Sequence, residues 1–439
     1  MTTRLSVSEV LRSAAPKAEN PLPPLVNAGR ARQRVALPYR SRDSVDGTGG
    51  EHSSPALILE NDCLRVTVLP ALGGRIESLY DKGSRRELVP GGDVAGGIEW
   101  NLGDGGFAGA AVVPMYAAEV DGPDGTPALR LWEWERTRDL ACQVDLWLPE
   151  DSSLLLVGVK VRNPHDHAVP VGWSSNIIVS RTVRLLGRPR ESSRWTAAVG
   201  EDGAGLVQLS VSPSNEHVAA GGSWHRLEAF GSCYAGAAAW RGDARVAATD
   251  LERRLPDAGL LGRLSRAWLG AADNPPRDPL SHGSGWGALE THRMLVEFPA
   301  TPYPAESMGV EQRPWLSLLD GTPWTGDPVV DPGPTPVNAY WRELLEYAPA
   351  TWTTWYHRGV ARWAAGERRK AADAWAMSLA HAENPWALRN LAVVSRLSGD
   401  TGRAARRYAR AVELAPAVRA LATEARLAAE NPARPATGH

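Results

Sequence analysis

Glycine and proline punctuate this chain up to about residue 336, and from 337 to 430 they thin out while Ala, Arg, Leu and Trp take over. The 439 residues include 43 glycines and 34 prolines, so the change divides the chain into two kinds of fold. Proline supplies no backbone N–H to a helix, and glycine loses more freedom than any other residue when a helix forms. The front of the chain therefore has to be built from short strands and many turns, while the back is free to form helices.

The strand pattern is densest over residues 55–180. ALILEND and CLRVTVLP flank Asn61-Asp62, and GGRIESLYDKGSRRELV turns at Asp81-Lys82-Gly83, which gives two hairpin signals. SLLLVGVKVRNPHDHAVPVGWSSNIIVS reads as strand, Asn-Pro turn and strand, and LVQLSVS (206–212) and WHRLEAF (224–230) extend the pattern. Strands spaced about ten residues apart predict an antiparallel β-sandwich or barrel. Residues 1–50 read as an extended segment with at most a short strand or helix. The β-domain spans 51–235. Residues 236–336 read as a partly helical connector, with helical spacing in DLERRL and RLSRAWLGA and loops in DNPPRDPLSHGSGWGALE.

Residues 337–430 contain an internal repeat. Gly366, Ala371, Trp375 and Ser378 recur 33 residues later as Gly399, Ala404, Tyr408 and Ala411, with Pro385 and Pro416 closing the units. A small residue, an aromatic four later and a period near 34 resemble tetratricopeptide repeats. Each unit is a pair of short helices that cannot bury its apolar face alone, so neighbours stack. Flanking helices are expected at 337–347 and 417–430, and a disordered tail at 431–439.

Lys plus Arg number 48 and Asp plus Glu 50, for a net charge of −2. That balance argues against a nucleic-acid surface. No apolar run has the length of a membrane span, and the N-terminal residues lack the apolar core of a signal peptide. Cys63, Cys142 and Cys233 form no C-x-x-C unit, so a cytoplasmic protein is expected.

Several strings carry groups able to do chemistry. GGIEWN places Glu99, Trp100 and Asn101 behind two glycines, a set that suits a sugar as well as a strand end. In WEWER, strand alternation puts Glu133 and Glu135 on one face and Trp132, Trp134 and Arg136 on the other. Either the carboxylates form an acid/base pair, or they are a solvated face over a Trp-packed core. HDH (165–167) lies in an Asn-Pro turn with no third ligand nearby and reads as a solvated turn. His217 and His225 are isolated. GSGWGALE (283–290), ending at Glu290, reads as a tight turn. No metal and no cofactor is expected.

Taken in chain order, ENPLPPL, LPALGGRIESLYDK, GGIEWN, DGTPALRLWEWER, NPHDHAVPVGWSSNI, WHRLEAFG, GSGWGALE and GVEQRPWLSLL resemble a largely uncharacterised bacterial family. In that family a galactose-mutarotase-like domain precedes tetratricopeptide repeats, and the resemblance covers about residues 15–430. It implies an antiparallel β-supersandwich with a sugar-sized groove, followed by a short α-helical repeat region. It also implies a carbohydrate-related activity. Arg75, Glu99, Asn101, Glu133, Glu135 and Asn176 match groove-lining motifs, and Glu228 of LEAF matches a motif without an assigned role. Phe107 stands where the family carries a His, Gln208 aligns with a Glu, and the stretch after SNIIVSRT is shorter.

Two functions are open on this basis. The first is a glycoside hydrolase or epimerase-like enzyme in which Glu99, Glu133 and Glu135 supply acid and base. Arg75, Asn101, Arg136, Asn176 and Glu228 would then hold the substrate, and Trp100 and Trp132 would stack on it. The second is a catalytically degenerate sugar-binding or scaffold protein, motivated by Phe107 and Gln208, whose helical repeats hold a protein partner.

Overall fold

A computed structural model describes residues 2–12, 52–89, 97–102, 113–136, 138–178, 183–187, 195–211, 217–236, 242–256, 258–322, 324 and 326–430. Phe107 and the 431–439 tail lie outside the described residues, as does most of the 1–50 segment. The side chain of Asn101 is also outside them.

Among the described residues up to Tyr234, strands predominate, with a single 3-10 turn at Pro70–Leu72, and one more strand follows at Pro279–Ser281. In chain order the strands are β1 Arg4–Arg12, β2 His52–Glu60, β3 Leu64–Leu69, β4 Arg75–Asp81, β5 Arg86–Glu87 and β6 Gly97–Leu102. There follow β7 Tyr116–Asp121, β8 Pro127–Glu135, β9 Leu140–Trp147, β10 Leu154–Arg162, β11 Val169–Pro170 and β12 Trp173–Ile178. The last six are β13 Arg184–Gly187, β14 Trp195–Val199, β15 Ala204–Val211, β16 His217–Val218, β17 Ser223–Tyr234 and β18 Pro279–Ser281. A seven-stranded antiparallel sheet runs β1-β2-β3-β4-β6-β12, with β5 on β4. A nine-stranded one runs β13-β14-β15-β17-β10-β9-β8-β7-β18, and β11 and β16 form a small ribbon. Of the 1–50 segment, the described part is thus a strand, which pairs along its whole length with β2.

The sheets pack through one apolar layer. Leu57, Val66, Ile76, Ile98 and Trp100 of the seven-stranded sheet meet Leu129, Leu131, Val144, Val157 and Phe230 of the nine-stranded one. The alternate residues of the nine-stranded sheet face outward into a second layer. That layer is completed by Ala247 and Leu251 of α1 (Ala244–Glu252) and by Leu261 and Trp268 of α2 (Ala258–Ala271). The 236–336 stretch is divided between two compact units, the first reaching to Met308 and the second starting at Gly309. GSGWGALE is not only a turn. Gly285, in the left-handed region at φ 79°, starts α3 (Trp286–Met294).

The second unit contains α4 (Arg313–Leu319), α5 (Ala339–Tyr347), α6 (Trp352–Ala364), α7 (Arg368–His381), α8 (Pro385–Leu397), α9 (Thr401–Leu414) and α10 (Arg419–Glu430). The recurring residues have the same job in both repeats. Gly366 and Gly399 sit at φ 81° and 80° just past α6 and α8, where a left-handed residue ends a helix. Ala371, Trp375, Ser378, Ala404, Tyr408 and Ala411 are all buried. Pro385 opens α8 at its first turn and does not close the unit before it, because its missing N–H costs nothing there. The fold class is therefore the expected one, an antiparallel two-sheet sandwich followed by stacked helix pairs.

Candidate functional site

Three adjacent strands of the seven-stranded sheet hold the most polar of the expected residues. β4 meets β6 at Ile76 and Ile98, and β12 meets β6 with Asn176 opposite Glu99. Ile98, Trp100 and Leu102 enter the layer between the sheets. Glu99 therefore points from the other face, as does the position of Asn101. Gly97 makes the close approach of β6 to β4 feasible. It sits at φ 86°, and a Cβ on it would lie 2.2 Å from the Ile76 carbonyl oxygen.

A register shift in β4 sets the charges. Val68 pairs with Ile76 and Thr67 with Ser78, which leaves Glu77 as an extra residue bulging from the strand. The bulge lets the Arg75 guanidinium reach both neighbours, with Nη2 2.5 Å from Glu77 Oε2 and Nη1 3.6 Å from Glu99 Oε1. Arg75 and Glu99 are buried and Asn176 is exposed. A guanidinium fixed between two carboxylates, with Asn176 across the strand pair from Glu99, holds donors and acceptors in a set geometry. Sequence reading missed Glu77, since nothing in GGRIES announces a bulge.

The WEWER carboxylates lie on the other sheet. Glu133 and Glu135 stand opposite Cys142 and Leu140 of the inter-sheet layer, so they share a face, as alternation requires. Neither is solvated, with exposures of 4% and 7%. Glu133 accepts hydrogen bonds from the backbone N–H of Trp134 and of Ser284, each 2.8 Å. Burial pushes its carboxyl up to about 7. Arg136 lies 3.8 Å over the Trp286 ring. WEWER and GSGWGALE, 151 residues apart, thus form one cluster, to which Asp139 and Arg293 also belong. Those two residues carried no signal in the sequence.

Glu228 is in a third place. Fully buried on β17, it is hydrogen-bonded by the Ser175 hydroxyl of β12 and lies 3.0 Å from Arg226. Gln208 of β15 hydrogen-bonds to it as well, and burial raises its carboxyl above the usual range. Glu228 thus links the two sheets.

The expected stacking platforms are core residues. Trp100, 1% exposed, donates its indole N–H to the Gly74 carbonyl at 3.0 Å and stacks on Trp173. Trp132, fully buried, donates to the Pro302 carbonyl at 2.8 Å and stacks on Tyr116. Neither has a ring face left for a ligand. The structure therefore groups Arg75, Glu99 and Asn176 on one sheet and Glu133, Glu135 and Arg136 on the other, with Glu228 between them. In the HDH turn, His167 and Asp166 are exposed, and His165 Nε2 is 2.8 Å from the Arg138 carbonyl oxygen.

No protein-family model matches the chain, and no curated protein matches it. Among solved structures, a TPR-domain-containing protein from Parabacteroides distasonis matches 93% of this chain and 80% of its own length, at 14% identity and a TM-score of 0.56. The two share a fold over most of their length. A putative aldose 1-epimerase from Escherichia coli matches 40% of this chain and 98% of its own, at 13% identity and a TM-score of 0.29. A galactose mutarotase-like protein from Clostridium acetobutylicum matches 41% and 96%, at 8% identity and a TM-score of 0.31.

Proposed function

We propose that this protein acts on a carbohydrate, with the polar face of β4, β6 and β12 as its sugar-binding surface. The observation that carries the reading is the Arg75 guanidinium held between Glu77 and Glu99, with Asn176 opposite Glu99. A sugar presents neighbouring hydroxyls that each donate and accept. Fixed guanidinium, carboxylate and amide groups pair with them in one orientation. Within that set Glu99 is the acid/base group, Arg75 holds its carboxylate in place, and Asn176 binds a hydroxyl. The reaction class is glycosidic-bond hydrolysis or epimerisation at a ring carbon, both of which need a positioned carboxyl group.

The test is a panel of free sugars and short glycans, followed by calorimetry for binding and by proton NMR for conversion. Glu99→Gln is expected to lower turnover by roughly 10²–10⁴-fold, with affinity nearly unchanged and the melting temperature lowered, because Arg75 loses one of its two buried carboxylate neighbours. Unchanged turnover in that variant removes Glu99 from the chemistry. Binding without conversion by the unmodified protein selects the second reading, a degenerate sugar-binding module. That reading is favoured by Gln208, an amide that exchanges no proton, standing beside Glu228. Failure to bind any sugar overturns both.

A further inference from the structure

Residues 326–337, GDPVVDPGPTPV, lead into α5 and form neither helix nor strand. Pro328, Pro332, Pro334 and Pro336 fix φ and supply no N–H, so the segment has few donors of its own for its carbonyls. Its two Asp-Pro steps are shaped locally. The Asp327 carboxylate accepts the Val329 N–H at 3.1 Å, and the Asp331 carboxylate accepts the Gly333 N–H at 2.8 Å. A chain bent in advance by such turns and prolines has little freedom left to lose on docking.

The helical repeats supply the missing donors. Trp352, the first residue of α6, donates its indole N–H to the Gly326 carbonyl at 2.7 Å. Trp386, the second residue of α8, donates its own to the Pro328 carbonyl at 3.1 Å. The donors come from successive helix pairs and the acceptors are two residues apart, so the segment bridges the repeats. Further along, the Thr335 hydroxyl lies 2.7 Å from His357 Nδ1 of α6, and Pro334, Thr335 and Pro336 are buried. His357 in turn stacks at 4.3 Å on Trp324, just ahead of the segment. Val329 and Val330 are exposed, so burial of the largest apolar side chains is not what holds the segment. The repeats hold its carbonyls and its prolines.

Indole donors and aromatic rings that meet the carbonyls and rings of a proline-rich chain are the elements of polyproline recognition. We propose that the face made by α6 and α8 is a recognition site for an extended proline-rich chain with the spacing D-P-x-x-D-P, and that residues 326–337 are its ligand, supplied in cis. The recognition involves no residue of the sugar-binding surface. Specificity comes from the two carbonyls that the indoles read and from the prolines that keep those carbonyls unpaired. Tethering sets the segment at an effective concentration of millimolar order, so an outside peptide at micromolar concentration finds the face taken.

The test uses the full chain with residues 326–337 replaced by a glycine-serine linker of the same length, and a fluorescently labelled peptide of sequence GDPVVDPGPTPV. Anisotropy is expected to show saturable binding of the peptide to the linker variant and none to the unmodified protein at micromolar concentration. The same peptide with its four prolines replaced by alanine should bind about tenfold more weakly or worse. A folded linker variant that leaves the peptide free overturns the proposal, and so does equal binding of the alanine peptide. If the linker variant does not fold, Trp352→Phe and Trp386→Phe decide, each of which keeps a ring and loses the N–H. An Asp-specific endoprotease cuts the segment before Asp327 or Asp331. In each variant that cleavage is expected to rise about two- to tenfold, with the helical circular dichroism unchanged. Cleavage at the rate of the unmodified protein in both variants overturns the proposal.

Discussion

Arg130 and Asp145 show how a buried charge is made tolerable at the level of single residues. Asp145, 2% exposed, accepts from Arg130 Nε at 2.7 Å and Nη2 at 2.9 Å, from Gln143 Nε2 at 2.9 Å and from Trp268 Nε1 at 3.0 Å. Arg130 spends its remaining donors on the carbonyls of Ala271, Asn274 and Ala300. The pair thus ties the end of α2 and the 274–300 segment to the sheet. Such a pair contributes little net stability against an apolar replacement of the same size, but breaking it strands a charge. Asp145→Ala is expected to cost about 3–5 kcal/mol, read from the midpoint of urea unfolding. Replacing Arg130 by Met and Asp145 by Leu together should cost less than that single change. Neither residue stood out in the sequence, because ALRLW and QVDLW look like ordinary strand with a charge on its wet face. Only the burial of both faces of β8 and β9 makes those charges a network.

At the scale of elements, two glycines decide which helix packs where. Gly158 in the middle of β10 lies under the Trp268 indole of α2, and a Cβ there would come within 2.0 Å of the ring. In the helical unit, Gly359 of α6 admits Trp375 of α7 in the same way, at 2.2 Å. Gly158→Ala must push Trp268 off the sheet, and is expected to destabilise the protein by about 1–3 kcal/mol. Thermal unfolding measures that cost, and a change in Trp268 fluorescence in the folded state checks its cause. The helix starts are fixed by local contacts, although the sequence reading takes Pro385 as closing a unit and singles out neither cap. Thr351 caps α6 in a reciprocal box with Thr354, and Asn384 caps α8 ahead of Pro385. These are local interactions between residues three apart, so a sequence reader meets both partners at once. The 33-residue spacing was legible for the same reason. The start of α3 was not, since GSGWG suggests a loop until Gly285 is seen to turn the chain into a helix.

For the whole molecule, the decisive result is which carboxylates share a face. Glu99 lies on the far side of the seven-stranded sheet from the apolar layer, while Glu133 and Glu135 lie on the nine-stranded one. A double-mutant cycle on Glu99→Gln and Glu133→Gln is therefore expected to give a coupling within about 0.5 kcal/mol in urea unfolding. A larger value would mean that the two groups interact after all. Alternation and turn chemistry act over a few residues, so the sequence alone determined the strand-rich front, the helical repeats, the paired orientation of Glu133 and Glu135, and the polar identity of Arg75, Glu99 and Asn176. Tertiary structure decided how those groups are distributed. Register, the bulge at Glu77 and the docking of α3 depend on strands and helices meeting from far along the chain, and the packing of two apolar layers settles them together.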